Sequence, residues 1–125
     1  MEAKDLGKTS TGIQPNVSGL LSYAAGIVSG IIFYVIEKEN KFVKFHAVQS
    51  IVTFGGFLAL WIGIAIISQI LIMLHVYGLL QLFHLINILL WLASFILWVV
   101  LMIKAYQGEK FKLPVIGDIA EKKSQ

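Results

Sequence analysis

Cysteine and arginine are absent from the 125 residues, proline occurs twice, and charged side chains make up only 14%. Without cysteine there is no disulfide, thiolate metal ligand or cysteine nucleophile. Without arginine the bidentate fork that grips phosphate or guanine is missing, so ten lysines and a net charge of +3 do not read as a nucleic-acid surface. Two long stretches, residues 9–36 and 45–103, carry no Asp, Glu, Lys or Arg. Each exceeds the roughly 20 apolar residues that cross a bilayer core. An ordinary soluble domain is about a quarter charged, and a disordered chain is poor in hydrophobic residues. At 58% hydrophobic, this chain is neither.

What remains is an all-α integral membrane protein, because lipid admits only helices or closed barrels and these stretches lack a barrel's polar alternation. Residues 1–17 read as a flexible polar N-terminal tail, residues 18–104 as the transmembrane domain, and residues 105–125 as a tail with a short amphipathic segment. Span 1 is expected at about residues 17–36. It is not a signal peptide, since it runs into Glu37-Lys38-Glu39-Asn40-Lys41 without a small-residue cleavage site. The 59-residue stretch would make one helix of nearly 90 Å, about three core thicknesses, and must fold back. The reversal is placed at residues 75–81, with span 2 over residues 57–74 and span 3 over residues 82–103.

Residues 42–56 are left over and are amphipathic. His46, Gln49, Ser50 and Thr53 are spaced i, i+3, i+4 and i+7 and share a face with Lys44, while Phe42, Phe45, Val48 and Val52 lie opposite. An interfacial helix is expected here, or the half-submerged start of a long span 2, bending at Gly55-Gly56. Three spans plus this helix are predicted, with four spans as the alternative. Lysine counts put the first loop and C-terminus in the cytoplasm and the N-terminus outside.

Small residues predict packing: Gly26 and Gly30 on span 1 are expected to face Gly55, Ala59 and Gly63 on span 2, with homodimerisation as the alternative. Ser68, Gln69, His84, Asn87 and Ser94 are the polar side chains within spans 2 and 3. Interhelical hydrogen bonds are their simplest use, a polar conduit the sharper one. No catalytic group, cofactor or metal is expected. Ser94 and His84 lack a third partner, and two histidines, His75 and His84, fall short of the usual ligand count.

Residues 30–50, ending in Phe-Val-Lys-Phe-His-Ala-Val-Gln-Ser, and residues 103–120, with Lys-Leu-Pro-Val-Ile-Gly-Asp, resemble a widespread family of small prokaryotic membrane proteins. That family is similar to the Tic-twenty component of the chloroplast inner-envelope import machinery. The resemblance implies a helical membrane protein with a role in moving proteins into or across membranes.

The expected function is therefore a non-enzymatic, translocon-like or insertion-assisting subunit that binds apolar polypeptide segments; a small oligomeric channel or transporter is the alternative. The face of Lys44, His46, Gln49, Ser50 and Thr53 is the expected docking surface. The tail bearing Lys110, Lys112, Pro114 and Asp118 should fold over it, with Asp118 or Glu121 near Lys44 or His46. Expected partners are the bilayer, its anionic headgroups, and a protein partner or a second copy.

Overall fold

The computed structural model describes residues 6–125; the first five residues of the expected N-terminal tail lie outside them. Five helices follow one another: α1 (Pro15–Ala24), α2 (Ile27–Ile36), α3 (Lys41–Met73), α4 (Tyr77–Tyr106) and α5 (Ile116–Ser124). Among the described residues only α3 and α4 are long and apolar enough to cross a membrane.

These two form an antiparallel hairpin. At 1.5 Å per residue, α3 (33 residues) is about 50 Å long and α4 (30 residues) about 45 Å. The turn occupies residues 74–76, slightly before the expected reversal, with His75 at a left-handed φ of 59°. Beyond residue 57 the hairpin is bare. Leu60, Ile62, Ile66, Leu85, Ile88, Phe95 and Ile96 are each at least half exposed, as suits helices solvated by lipid.

The expected span 1 is not one helix. It breaks at Ala25-Gly26, where Gly26 adopts φ 59°, a conformation without penalty only for glycine. The break is capped from within: the Ala25 N–H donates to Ser29 Oγ at 3.0 Å, and Ser29 Oγ donates to the Ser22 carbonyl at 3.0 Å. Ser50 on α3 donates to the Gly26 carbonyl at 2.8 Å. Ten residues on each side, about 15 Å, are too short to span a core of roughly 30 Å. α1 runs back along the end of α4, with Asn16 bonded to the Tyr106 carbonyl and Trp98 Nε1 to the Tyr23 carbonyl. α2 runs back along the start of α3, where Phe33 packs with Phe42, Val43 and Ala47.

The chain is thus all-helical, with two long apolar helices rather than the expected three spans. Of the two expected forms the long span 2 is the one seen: residues 42–56 are the first half of one helix uninterrupted at Gly55-Gly56, capped by Asn40 Oδ1 accepting from the Val43 N–H at 3.1 Å. The predicted glycine contact is also displaced. A Cβ at Gly30 would lie 3.0 Å from the Ala47 carbonyl oxygen and 3.2 Å from Ser50 Cβ, about three turns before Ala59 and about four before Gly63; Gly63 has open space beside it, and Ala59 is exposed. Gly26 meets Phe54, and Gly55 meets Ile27.

The N-terminal segment lies on the same end as the first loop, not across a membrane from it. Asn40 Nδ2 donates to the Leu6 and Lys8 carbonyls, and the Ser10 N–H donates to Glu37. α5 is also at this end, Ala120 packing on Phe45, Val48 and Val52. Consequently the nine lysines among the described residues all sit at one end of the molecule, and the hairpin turn at the other end has none.

Candidate functional site

Two arrangements of polar side chains stand out. The first is built on the face of α3 singled out by spacing. His46, Gln49 and Ser50 are fully buried and Thr53 nearly so, while Lys44 is half-buried with its ammonium 5.3 Å from the centre of the Tyr34 ring. Their cover comes from the same chain. α1 contributes Tyr23, and residues 107–115 form an irregular strap that crosses α3.

The side-chain hydrogen bonds of His46 and Gln49 are met, whereas Thr53 Oγ1 on the same face has no partner. His46 Nε2 lies 3.1 Å from the Glu109 carbonyl, which only accepts, so Nε2 carries the proton. Nδ1 is then an acceptor and takes the Tyr23 hydroxyl at 2.7 Å. Gln49 Nε2 donates to the Tyr23 oxygen at 3.0 Å and to the Phe111 carbonyl at 2.8 Å, and its Oε1 accepts from the Leu113 N–H at 3.1 Å. Residues 109, 111 and 113 alternate along the strap, so one side of its backbone is read by two side chains one turn apart. Phe42, Phe45 and Tyr23 pack edge-on around the imidazole.

The tail residues are arranged around the strap rather than against Lys44 or His46. Lys110 is exposed, 5.6 Å over the Phe45 ring; Lys112 pairs with Glu121; Pro114 and Asp118 are exposed. Gly117 is where α5 meets the strap, and a Cβ there would lie 2.5 Å from Lys112 Cβ. At the neighbouring loop, the Glu37 carboxylate accepts the Ser10, Glu39 and Asn40 N–H groups. Desolvation pushes this carboxyl up, but those backbone donors outweigh it and hold it below the usual carboxylate range.

The second arrangement is a groove of about 400 Å³ between the bare halves of α3 and α4, lined by Trp61, Ala65, Ser68, His84, Asn87 and Trp91 among others. Trp61 and Trp91 stack at its floor, ring centres 4.8 Å apart. Trp61 Nε1 is buried there without a hydrogen-bond partner, as are Ser18 Oγ and Thr53 Oγ1 elsewhere. Ser68 and Asn87 are partly exposed in the groove and His84 is exposed. Gln69 is exposed outside it, and Ser94 donates to the Trp91 carbonyl of its own helix. Among the described residues no three His, Asp or Glu side chains converge as metal ligands would.

Tyr23, Trp61, Trp98 and Glu37 are not among the site residues expected from sequence. For Tyr23 a signal existed: it is the one aromatic residue among Ser18, Ser22 and Ser29 in an apolar stretch.

Residues 10–120 match the magnetosome magnetite crystal formation protein family, MamF/MmsF. The chain is 56% identical over 120 residues to a UPF0132 membrane protein of Methanocaldococcus jannaschii, covering 96% of this chain and 97% of that one. It is 44% identical over 110 residues to a UPF0132 membrane protein of Archaeoglobus fulgidus, covering 87% and 94%. No solved structure matches it. The expected kinship with Tic-twenty is thereby corrected, since the motifs that suggested it, at residues 30–50 and 103–120, fall inside the matched region of a different family. With relatives named as membrane proteins and two long bare apolar helices, the chain is a small helical membrane protein of the MamF/MmsF family.

Proposed function

We propose that this is a non-enzymatic membrane protein whose α3/α4 groove binds an apolar helical segment of another polypeptide, assisting its placement in the bilayer. The observation that supports the reading is the groove's unsatisfied polarity. The side chains of Ser68, His84 and Asn87 line the groove and make no hydrogen bond among the described residues, in a wall otherwise made of apolar side chains and the Trp61–Trp91 stack. Lipid tails offer such groups nothing, whereas a helix carrying a hydroxyl, amide or carbonyl side chain completes them while its apolar surface stacks on Trp91. The lysine-bearing end faces the cytoplasm under the positive-inside rule.

The channel alternative fares worse. Two helices enclose no conduit, so a pore would require several copies to close around the same groove. From the family we take membrane residence only; its description speaks of magnetite crystals, and no cluster of acidic or histidine ligands among the described residues answers to a mineral surface.

The test places a photoreactive residue at Ser68 or Asn87 in the membrane-embedded protein. Crosslinks to a discrete polypeptide through a transmembrane segment, lost when the same probe replaces outward-facing Leu92, support the reading. Crosslinks to lipid alone overturn it. Solute leakage from liposomes holding only the purified protein would favour the channel instead.

A further inference from the structure

The cross-section of the molecule changes abruptly along its length. At the lysine end α1, α2, α3, α4 and α5 pack side by side; past the α1/α2 break only α3 and α4 continue. Where that step falls in the bilayer can be read from polarity. Gln69 and Gln81 are exposed polar side chains near the hairpin turn and mark one interface. A core of about 30 Å is about 20 residues of helix, which brings the other interface to Gln49 on α3 and Leu101 on α4. Lys44 and Lys104 then lie just outside the core, as they should.

Gly26 packs against Phe54, five residues on the bilayer side of that boundary, so the α1/α2 hairpin reaches about 7 Å into the core. That is within the roughly 5–10 Å at which interfacial helices insert. From there α2 runs outward through the boundary, Gly30 lying beside Ala47 and Ser50, and its outer face of Val28, Ile31, Ile32, Val35 and Ile36, all more than 40% exposed, lies along the boundary and the headgroup layer. Water would not tolerate such a patch, and no described residue covers it.

We infer that the protein is a wedge in one leaflet, and that it binds preferentially to bilayer curved so that the lysine-side leaflet is convex. On a convex surface the outer leaflet is stretched relative to the inner one. A molecule that occupies more area in that leaflet relieves the stretch. Inverted, it adds to the compression of the inner leaflet and is driven out. The preference follows from shape and does not depend on what the α3/α4 groove holds.

The test uses the full chain, labelled through Gln125→Cys with one dye, in giant vesicles of zwitterionic lipid from which narrow tubes are pulled outward. An impermeant quencher tells molecules with the lysine end outside from those with it inside. Outward-facing molecules should be enriched severalfold in the tube over the flat membrane, increasingly as the tube narrows, and inward-facing ones depleted. Equal partitioning of the two orientations, or partitioning that ignores tube radius, overturns the inference. Neutral lipid removes attraction of lysines to anionic headgroups as an explanation. The triple change Val28→Ser, Ile32→Ser, Val35→Ser alters only exposed positions and should weaken the enrichment; if it does not fold, the comparison of orientations in the parent still decides.

Discussion

His46 and Tyr23 share a hydrogen bond whose direction is set from outside the pair. Because Nε2–H donates to the Glu109 carbonyl, Nδ1 of the fully buried neutral imidazole can only accept, and the Tyr23 hydroxyl donates to it. That leaves the Tyr23 oxygen free to accept from Gln49, which spends its other donor and its acceptor on the strap. Three segments far apart in sequence are tied together by a network with no spare valence.

Gln49→Leu should therefore do more harm than its size suggests. It keeps the volume and leaves the Phe111 carbonyl and Leu113 N–H without partners, at about 1–3 kcal/mol per unsatisfied group. The expected result is a lower melting temperature in detergent and faster tryptic cleavage after Lys110 and Lys112. Cleavage at the parent's rate would mean that the strap is held by something else.

Two glycines four residues from other small residues should behave oppositely. At Gly30 an added Cβ meets the Ala47 carbonyl and Ile51 Cγ1, both at 3.0 Å, so Gly30→Leu should cost about 1–3 kcal/mol through overpacking. Gly63 has nothing within 4 Å, and Gly63→Ala should stabilise helix α3 by up to about 1 kcal/mol. Thermal unfolding in detergent measures both, and equal losses would refute the observed register of α2 on α3.

Such register was not legible in the spacing. That Gly26 and Gly30 face a small-residue partner follows from composition, but which turn of α3 they meet depends on where residues 17–36 break. The count of 20 residues was just enough for a span, and only the left-handed backbone at Gly26, stapled by Ser22, Ser29 and Ser50, shows that the stretch is two short helices. The shared face of His46, Gln49, Ser50 and Thr53 was legible from period alone. What covers it was not, since a polar side chain reads the same whether its partner is water, a headgroup or a backbone carbonyl sixty residues away. The fold-back of residues 45–103 was the easiest inference because length alone demanded it.

Acid should loosen the N-terminal segment. Glu37 titrates below its ordinary value when folded, so its stabilisation is complete above the ordinary carboxylate range and is lost as pH falls through that lowered folded value. Melting temperatures measured between pH 7 and about 3 should fall for the parent. Glu37→Gln should start lower and show a shallower decline. Parallel curves for the two proteins would show that Glu37 does not carry the effect.

Topology is open to direct chemical reading, because the chain has no native cysteine. Cysteines introduced one at a time at the exposed positions Gln14, Tyr77 and Gln125 should divide two against one. In intact cells an impermeant maleimide should label Tyr77→Cys and spare the other two. Labelling of Gln14→Cys together with Tyr77→Cys would restore a third crossing.

The strap also imposes an order on biogenesis. Residues 15–36 leave the ribosome before residues 109–113, which supply the acceptors and donor that complete His46 and Gln49. Until those residues are made, His46 Nε2 and the Gln49 amide lack their strap partners, and a nascent chain stalled before Glu109 leaves these polar groups open at the membrane surface. A shortened chain would thus be distinguishable from a finished one to any protease that samples the membrane surface, long before its hairpin differed at all.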